Sequence, residues 1–599
     1  MISHFKLKLT AALLLGCNVT FAQTDLQKAW KAFFNNHNTE ATTLFNTAAK
    51  QKESTAEALL GLSLVSQMNG TSAQSFDYFT KFIAQSDNPQ PYIYALWMTP
   101  SINENYNKKT PQQLAFIKTI ADNKTYDGTL AAMASQIIGK HYEAARQLDK
   151  ADPEYNRIGA VDDWQITGEF ENISTSGFDK NYADVLNHPE AEAQFISKLG
   201  AKIGWHTVQV RRHDHWIDYE YYNDSENSIE FAQSFVNAPE DINAQLRIGV
   251  SGSVKVWVND ALILSEAEER NNDLDTYIQP IKLNKGYNRI LVQIGESYCN
   301  SSNFMVRITD DNGHALSNLT YAAEAKPYSK AGAYTLTAIE PLGIKYFNNK
   351  LKQNADDDFS KILLANAYLR AERDFEARRL LDDLHLKYPQ STYINLLLLQ
   401  LFNRENNRTG AETIKETIKN ADPESSSALV YKYADYVQQK NYDKAADVVK
   451  DLERLHPEQA EIIMQAKIGV AGYQKQQDEL VKLGEQAYIN FPDNRDVVNL
   501  KYAIEKELHK NASSALAVLK KYVDNNNDYG MAKTLSQAYF TAGDANMGYK
   551  VIQEQLNAKP YATGIYSYLG NQYYNQQKYD KAEESYLKSI SIAPTISSY

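Results

Sequence analysis

Proline returns through the second half of this chain at a spacing that one hydrophobic core cannot explain. Pro389, Pro423, Pro457, Pro492, Pro560 and Pro594 stand one or two steps of 34 residues apart, with one inserted residue. Each step carries the same apolar and small residues in the same phase. Before Pro594 come Tyr566, Leu569, Gly570, Tyr573, Tyr579, Ala582 and Tyr586; before Pro560 come Leu535, Ser536, Tyr539 and Gly548. Earlier units repeat the phase with Leu364, Ala365, Tyr368 and Ala377, then Leu398, Leu399, Phe402 and Ala411, then Tyr433, Tyr436, Tyr442 and Ala445. The unit ending near Asn526 lacks its proline. In each unit the earlier positions fall on one face of a helix and the later ones on the facing side of a second helix, with a small residue where the two approach. Proline closes the unit because it cannot continue a helix.

A 34-residue helix-turn-helix with this phase resembles the tetratricopeptide repeat over roughly residues 355 to 596. The resemblance implies a superhelix with a concave surface that holds a protein or peptide. By helical phase the inward positions are Asn366, Leu369 and Arg370; Val437 and Gln438; Lys533, Gln537 and Phe540; and Asn571, Tyr574 and Asn575. The carboxylate-clamp subtype of that family pairs Lys with Asn. Here Lys533 is followed by Gln537, with Tyr568 in the next unit, so the clamp is not matched.

Residues 24 to about 155 are helical in rhythm, with Trp30, Phe33, Phe34, Ala41, Phe45 and Ala48 at three- and four-residue steps, and they resemble degenerate repeats of the same kind. Between the helical arms the period falls to two. Ile229, Phe231 and Phe235 alternate, as do Leu246, Ile248 and Val250; Val254, Val256 and Val258; Ile290, Val292 and Ile294; and Phe304, Val306 and Ile308. Turn residues separate these runs at Asn237-Ala238-Pro239, Ser251-Gly252, Asn259-Asp260, Lys285-Gly286 and Asp311-Asn312-Gly313. Short strands joined in this way, with polar outward positions, predict a two-sheet antiparallel sandwich. "LRIGVSGSVKVWVND", "LDTYIQPIKLNKGYNRILVQI" and "NFMVRITDDNG" are similar to the non-catalytic jelly-roll, galactose-binding-like domains attached to bacterial β-galactosidases. That likeness implies a brace or a sugar contact.

The expected organisation is therefore an exported-type signal over 1–22, a helical repeat-like domain over 23–157, a β-sandwich over 158–325, a linker and first helix over 326–354, and a repeat solenoid over 355–599. The signal rests on His4, Lys6 and Lys8 before the apolar "LTAALLLG" and the small residues of "VTFAQ", with Cys17 in "LLGC" as an alternative lipidation site. Once the signal is removed Cys299 stands alone, which excludes an intramolecular disulfide. A net charge of −12 argues against a nucleic-acid groove, which draws on clustered Lys and Arg. His213 and His215 in "RRHDHWIDYEYYND" would share one face of a strand, but two histidines do not make a closed ligand set and no metal is expected. No phosphate loop, dinucleotide fingerprint or nucleophile elbow is present, and neither catalytic residue nor cofactor is expected. The sequence thus reads as an exported, non-catalytic scaffold of the periplasm or surface of a Gram-negative bacterium. It would bind a protein or peptide in its solenoid, use its sandwich as a spacer or a glycan contact, and have no span after signal removal. The order of domains also resembles the N-terminal arm of exported transglutaminase-like proteins, which implies an alternative: a targeting arm for a peptidase or acyl-transfer enzyme continuing past Tyr599.

Overall fold

The computed structural model describes residues 24–97, 109–222, 225–331 and 337–593. The signal segment and Cys17 lie outside them, as does Pro594. No helix among the described residues is long and apolar enough to cross a membrane.

From Leu342 to Ile592 the chain runs as antiparallel helix pairs, beginning with Leu342–Gln353 and ending with Thr563–Asn575 against Tyr579–Ile592. The turn inside each pair uses one device. A residue at positive φ ends the first helix: Glu372, Asn406, Lys440, Lys475, Lys510, Gly543 and Gln577, at steps of 33 to 35 residues. The next amide then reaches back to a carbonyl of the last helical turn, as in Asn407 N to Phe402 O and Asn441 N to Tyr436 O, at 2.9 and 2.8 Å. This satisfies carbonyls that a helix end leaves unpaired. Asn407, Asn441, Asn511 and Asp544 then cap the second helix through their side chains. Before Lys510 the first helix ends in a π-helical turn over Ile504–Leu508, which takes up an extra residue in a 35-residue step. At Gly570 the paired helices touch: a Cβ there would lie 2.6 Å from the Tyr586 ring.

The N-terminal arm is built from the same unit. Asn36, Gly70 and Arg146 sit at positive φ, and His37, Thr71 and Gln147 send their amides back to Ala32, Ser66 and Tyr142. Helices Asp25–Phe34 with Asn38–Ala48, and Thr55–Met68 with Ser72–Gln85, are the first two such pairs.

The sandwich between the arms is antiparallel throughout. Strand β7, Ile242–Val258, belongs to both sheets: its first half lies between β9 (Tyr277–Leu283) and β11 (Asn303–Thr309), its second between β8 (Ala261–Asn271) and β10 (Gly286–Glu296). Beyond β10 follow β6 (Ser228–Ala238), β1 (Gln165–Glu171) and β4 (His206–Thr207). Trp164, Leu246, Ile248, Val256, Val292, Phe304 and Val306 fill the space between the sheets.

Two expectations are overturned here. Ser251-Gly252 is not a hairpin turn: Gly252, at φ +121°, carries a register shift that bends β7 from one sheet into the other, a conformation open to glycine. Nor are all outward positions polar and solvated. Ile229 and Phe231 point away from the sandwich core into a second cluster with Phe170, Phe195 and Trp205, covered by the excursion between β1 and β4. Arg289, fully buried, pins that cover by donating to the Val185 and Leu186 carbonyls. Asn259 and Asp260, both at positive φ, form the tight turn read from sequence.

The sandwich is also no mere spacer. Buried Arg247 and Arg307 meet Asp275 and Thr129, joining two strands to helix Gly128–Ala144 of the arm. Thr129 Oγ1 donates to Asp275 Oδ2 at 2.7 Å, and Gly128 N donates to Asn312 O at 2.7 Å. Arm and sandwich form one hub, and the solenoid wraps it with the corners between its repeats facing inward. Asn36 accepts from Thr392 N and donates to Gln390 O, while Asn527 N donates to Ala144 O.

Candidate functional site

The inward helices of the solenoid split into two environments. In the first full pair, helix Asp358–Arg370 is buried along most of its length. Arg370, expected on a ligand groove, is 9% exposed. Its guanidinium lies 4.1 Å over the Tyr94 ring and 3.3 Å from Asp273 Oδ2, so arm and sandwich have taken its place in any groove. The tertiary contact that covers Arg370 has no signature in a repeat. Asn366 is half-buried and donates to Ile362 O within its own helix. Gln438 is exposed at the end of helix Ser426–Gln438.

Farther along, the concave face is open. Lys533 and Gln537, one turn apart on helix Tyr529–Thr541, line one side of a groove of about 530 Å³. Tyr502, Lys506, Ala515 and Leu516 of the preceding repeat line the other. The groove is apolar along its floor with an ammonium group on each wall. Lys533 Nζ lies 5.2 Å over the Tyr568 ring and Lys506 Nζ 5.6 Å over Tyr502, placing both cations over aromatic faces. Burial raises the Tyr568 phenol above its ordinary value and keeps it neutral. Phe540 turns into its own repeat and packs edge-on against Tyr549 at 5.1 Å. Asn571 accepts from Tyr586 Oη at 2.6 Å, and Tyr574, 59% exposed, leans edge-on against Tyr579. The structure thus brings together Lys533 and Gln537 of the predicted set. Tyr502 and Lys506, missed from sequence, face them from the preceding repeat, with Lys506 inside the π-helical turn.

Close by, Glu485, Glu505 and His509 come within reach of a single cation. Lys501 Nζ lies 2.5 Å from Glu485 Oε1 and from Glu505 Oε1, so an ammonium already occupies the middle. That bond holds the Glu505 carboxyl below its usual range.

His213 and His215 lie in a turn, with His215 at φ +63°, and not on a strand. Their rings diverge. His213 Nδ1 is 2.7 Å from Asp152 Oδ1 and Nε2 donates to Ala558 O at 3.0 Å, whereas His215 faces Asp162 and Asn156. Neighbouring Arg212 forks onto Asp214 at 2.7 and 3.0 Å and reaches Asp218 at 2.5 Å. Burial opposes its charge, yet the two carboxylates hold the guanidinium well above its usual value. Burial also pushes the Cys299 thiol up to about 12 with Glu269, Glu372 and Glu296 adding to the effect, the reverse of an activated nucleophile.

Comparison with known proteins agrees with the repeat geometry. A tetratricopeptide repeat family model matches residues 564–596. Among solved structures the chain is similar to yeast Tom70, at 11% identity over 94% of this chain and 84% of that one, with a TM-score of 0.32. It is also similar to the APC/C hetero-tetramer Cut9–Hcn1, at 11% identity over 42% and 49% with a TM-score of 0.27. A monomeric mutant of IFIT1 with Gppp-AAAA matches at 13% identity over 42% and 58%, with a TM-score of 0.25. At such TM-scores none of the three bears on function here. No curated protein matches the chain by sequence. What the fold and the family match over 564–596 define together is a multidomain α and β protein with a tetratricopeptide-like solenoid.

Proposed function

We propose that this chain is an exported, non-catalytic scaffold that holds a protein or peptide segment on the distal concave face of its solenoid. The observation that carries the reading is the open groove between Tyr502–Lys506 and Lys533–Gln537, on a superhelix whose proximal face is already filled by its own hub. Export to the periplasm or the cell surface is supported by the basic, then apolar, then small-residue order of the first 22 residues. The non-catalytic reading is supported by the lack of catalytic motifs in the sequence and by the raised Cys299 thiol. A photo-crosslinking residue at Gln537 tests it when introduced into the full chain in cell envelopes, with Gln438 as the control position. Expected is a protein joined at position 537 whose purified form binds saturably and loses affinity tenfold or more with Lys533→Glu. Equal labelling at both positions, or binding indifferent to Lys533→Glu, contradicts it.

A second reading concerns the sandwich. A cleft of about 610 Å³ opens where arm, sandwich and first solenoid helix meet, lined by Tyr126, Tyr346, Asn88, Asn312 and Asn349. Aromatic faces beside planar amides suit a sugar. A glycan array probed with the full chain, then with Tyr126→Ala, tests this reading; a blank array ends it.

A further inference from the structure

The hub fastens the distal solenoid at the repeat period itself. Ala558 and Ile592 are the last residues of helices Ala545–Ala558 and Tyr579–Ile592, at equivalent positions 34 residues apart. Each carries a carbonyl that a helix end leaves without an intrahelical partner. His213 Nε2 donates to the first and His206 Nε2 to the second, both at 3.0 Å. One repeat earlier, Arg146 Nη1 donates at 2.8 Å to Val523 O, near the end of helix Ala512–Asn525. Three side chains of the hub therefore cap the C-terminal ends of three consecutive outer helices, where the negative end of the helix dipole also favours them.

Side chains add to these caps: Tyr221 meets Tyr561 edge-on at 5.0 Å, Val210 and Tyr221 pack on the small distal cluster around Ile552 and Leu556, Tyr566, Ile592 and Ala593 pack on the sandwich cluster, and Arg146 pairs with Glu554. The proximal end is different: Trp30 stacks on Phe359 at 4.1 Å, and Phe33 and Phe34 pack on Tyr393 and Tyr388 within one continuous core.

We propose that residues 545–593 are a clasp. These capping bonds close the distal solenoid onto the hub, and the clasp releases as a unit while the proximal repeats stay docked, changing the curvature on which the distal groove depends. Release breaks the hydrogen bonds to main-chain carbonyls and withdraws Tyr566, Ile592 and Ala593 from the edge of the sandwich cluster. It holds whether or not the groove binds a protein.

The test is hydrogen exchange with small-angle scattering on the full chain carrying His206→Ala and His213→Ala together. Expected is at least a tenfold faster exchange across 545–593 and a larger radius of gyration, with 342–404 unchanged. His206→Gln with His213→Gln, which returns an amide donor to each carbonyl, restores both readouts toward the parent. Exchange across 545–593 that does not change in the alanine variant overturns the proposal, as does failure of the glutamine variant to restore it. Should the alanine pair unfold the chain, Tyr561→Ala alone decides: faster exchange confined to 545–593 supports the clasp, and faster exchange spread equally to 342–404 overturns it.

Discussion

The proximal and distal halves of the solenoid are made from one repeat but solve different problems. In the proximal half the inward helix is a structural surface: Phe359 and Arg370 meet the arm and sandwich, and one core runs from Ala29 to Ala428 without a break. In the distal half the core breaks into small clusters, each about one repeat long, and the inward helices carry Tyr502, Lys506, Lys533 and Gln537 to an open groove. The lesson is that the repeat phase tells which side chains face inward, and tertiary docking decides whether that inward face is free. A solenoid repeat contacts its neighbours alone, so half of the array can be given to stability without spoiling the other half for binding.

The comparison can be broken hardest at the hub. Asp275→Ala leaves Arg307 buried without its carboxylate and Arg247 with Asp127 alone, and the expected loss is about 3–5 kcal/mol, read as a lower urea midpoint for the whole chain. Trp30→Ala opens the proximal aromatic core at a similar expected loss of about 3–4 kcal/mol, visible as faster exchange across 342–404. If either change were felt in the distal repeats alone, the division between the halves would fall.

Distal changes are expected to stay local. Gly570→Ala pushes a Cβ into the Tyr586 ring and should cost about 1–3 kcal/mol, confined in exchange experiments to 563–592. pH sharpens the contrast through His206, whose imidazole is held below its ordinary value by burial, against the opposing bond from Ile592 O. Its docked state is therefore the neutral one. As pH falls through the ordinary imidazole range, the undocked state takes up the proton first, so this contribution is present above that range and lost below it. Comparing the parent with His206→Gln between pH 5 and 8 should show a steeper acid loss of distal protection in the parent. The smallest effect is at the groove: Lys533→Glu should alter stability by less than about 0.5 kcal/mol in thermal unfolding while weakening partner binding tenfold or more.

Much of this was legible before the structure. The proline step and its apolar phase located the helix pairs, and the period-two runs at Leu246 to Val258 and Ile290 to Ile294 located the inner strands. Strands β8 and β9 are hard to see in the sequence, for "LILSEAEER" and "YIQPIKL" offer weak alternation beside stronger neighbours. Gly252 looked like a turn because a glycine before a new apolar run fits a hairpin as well as a sheet-crossing bend. The kinship of the arm with the solenoid was fixed most directly by positive-φ residues at Asn36, Gly70 and Arg146, three different residue types that no common letter betrays. Arg370 and His213 misled because their roles depend on partners far along the chain, Tyr94 and Asp273 for one and Ala558 for the other. Pairing at such a distance leaves no local periodicity to read.

The most direct measurement is amide exchange of the intact chain, compared between the equivalent inward helices 358–370 and 529–541. The predicted result is slow exchange of 358–370, tied to unfolding of the hub, and exchange of 529–541 at least tenfold faster through local opening. Equal protection of the two helices would contradict the claim that one half of the solenoid is built for stability and the other for binding.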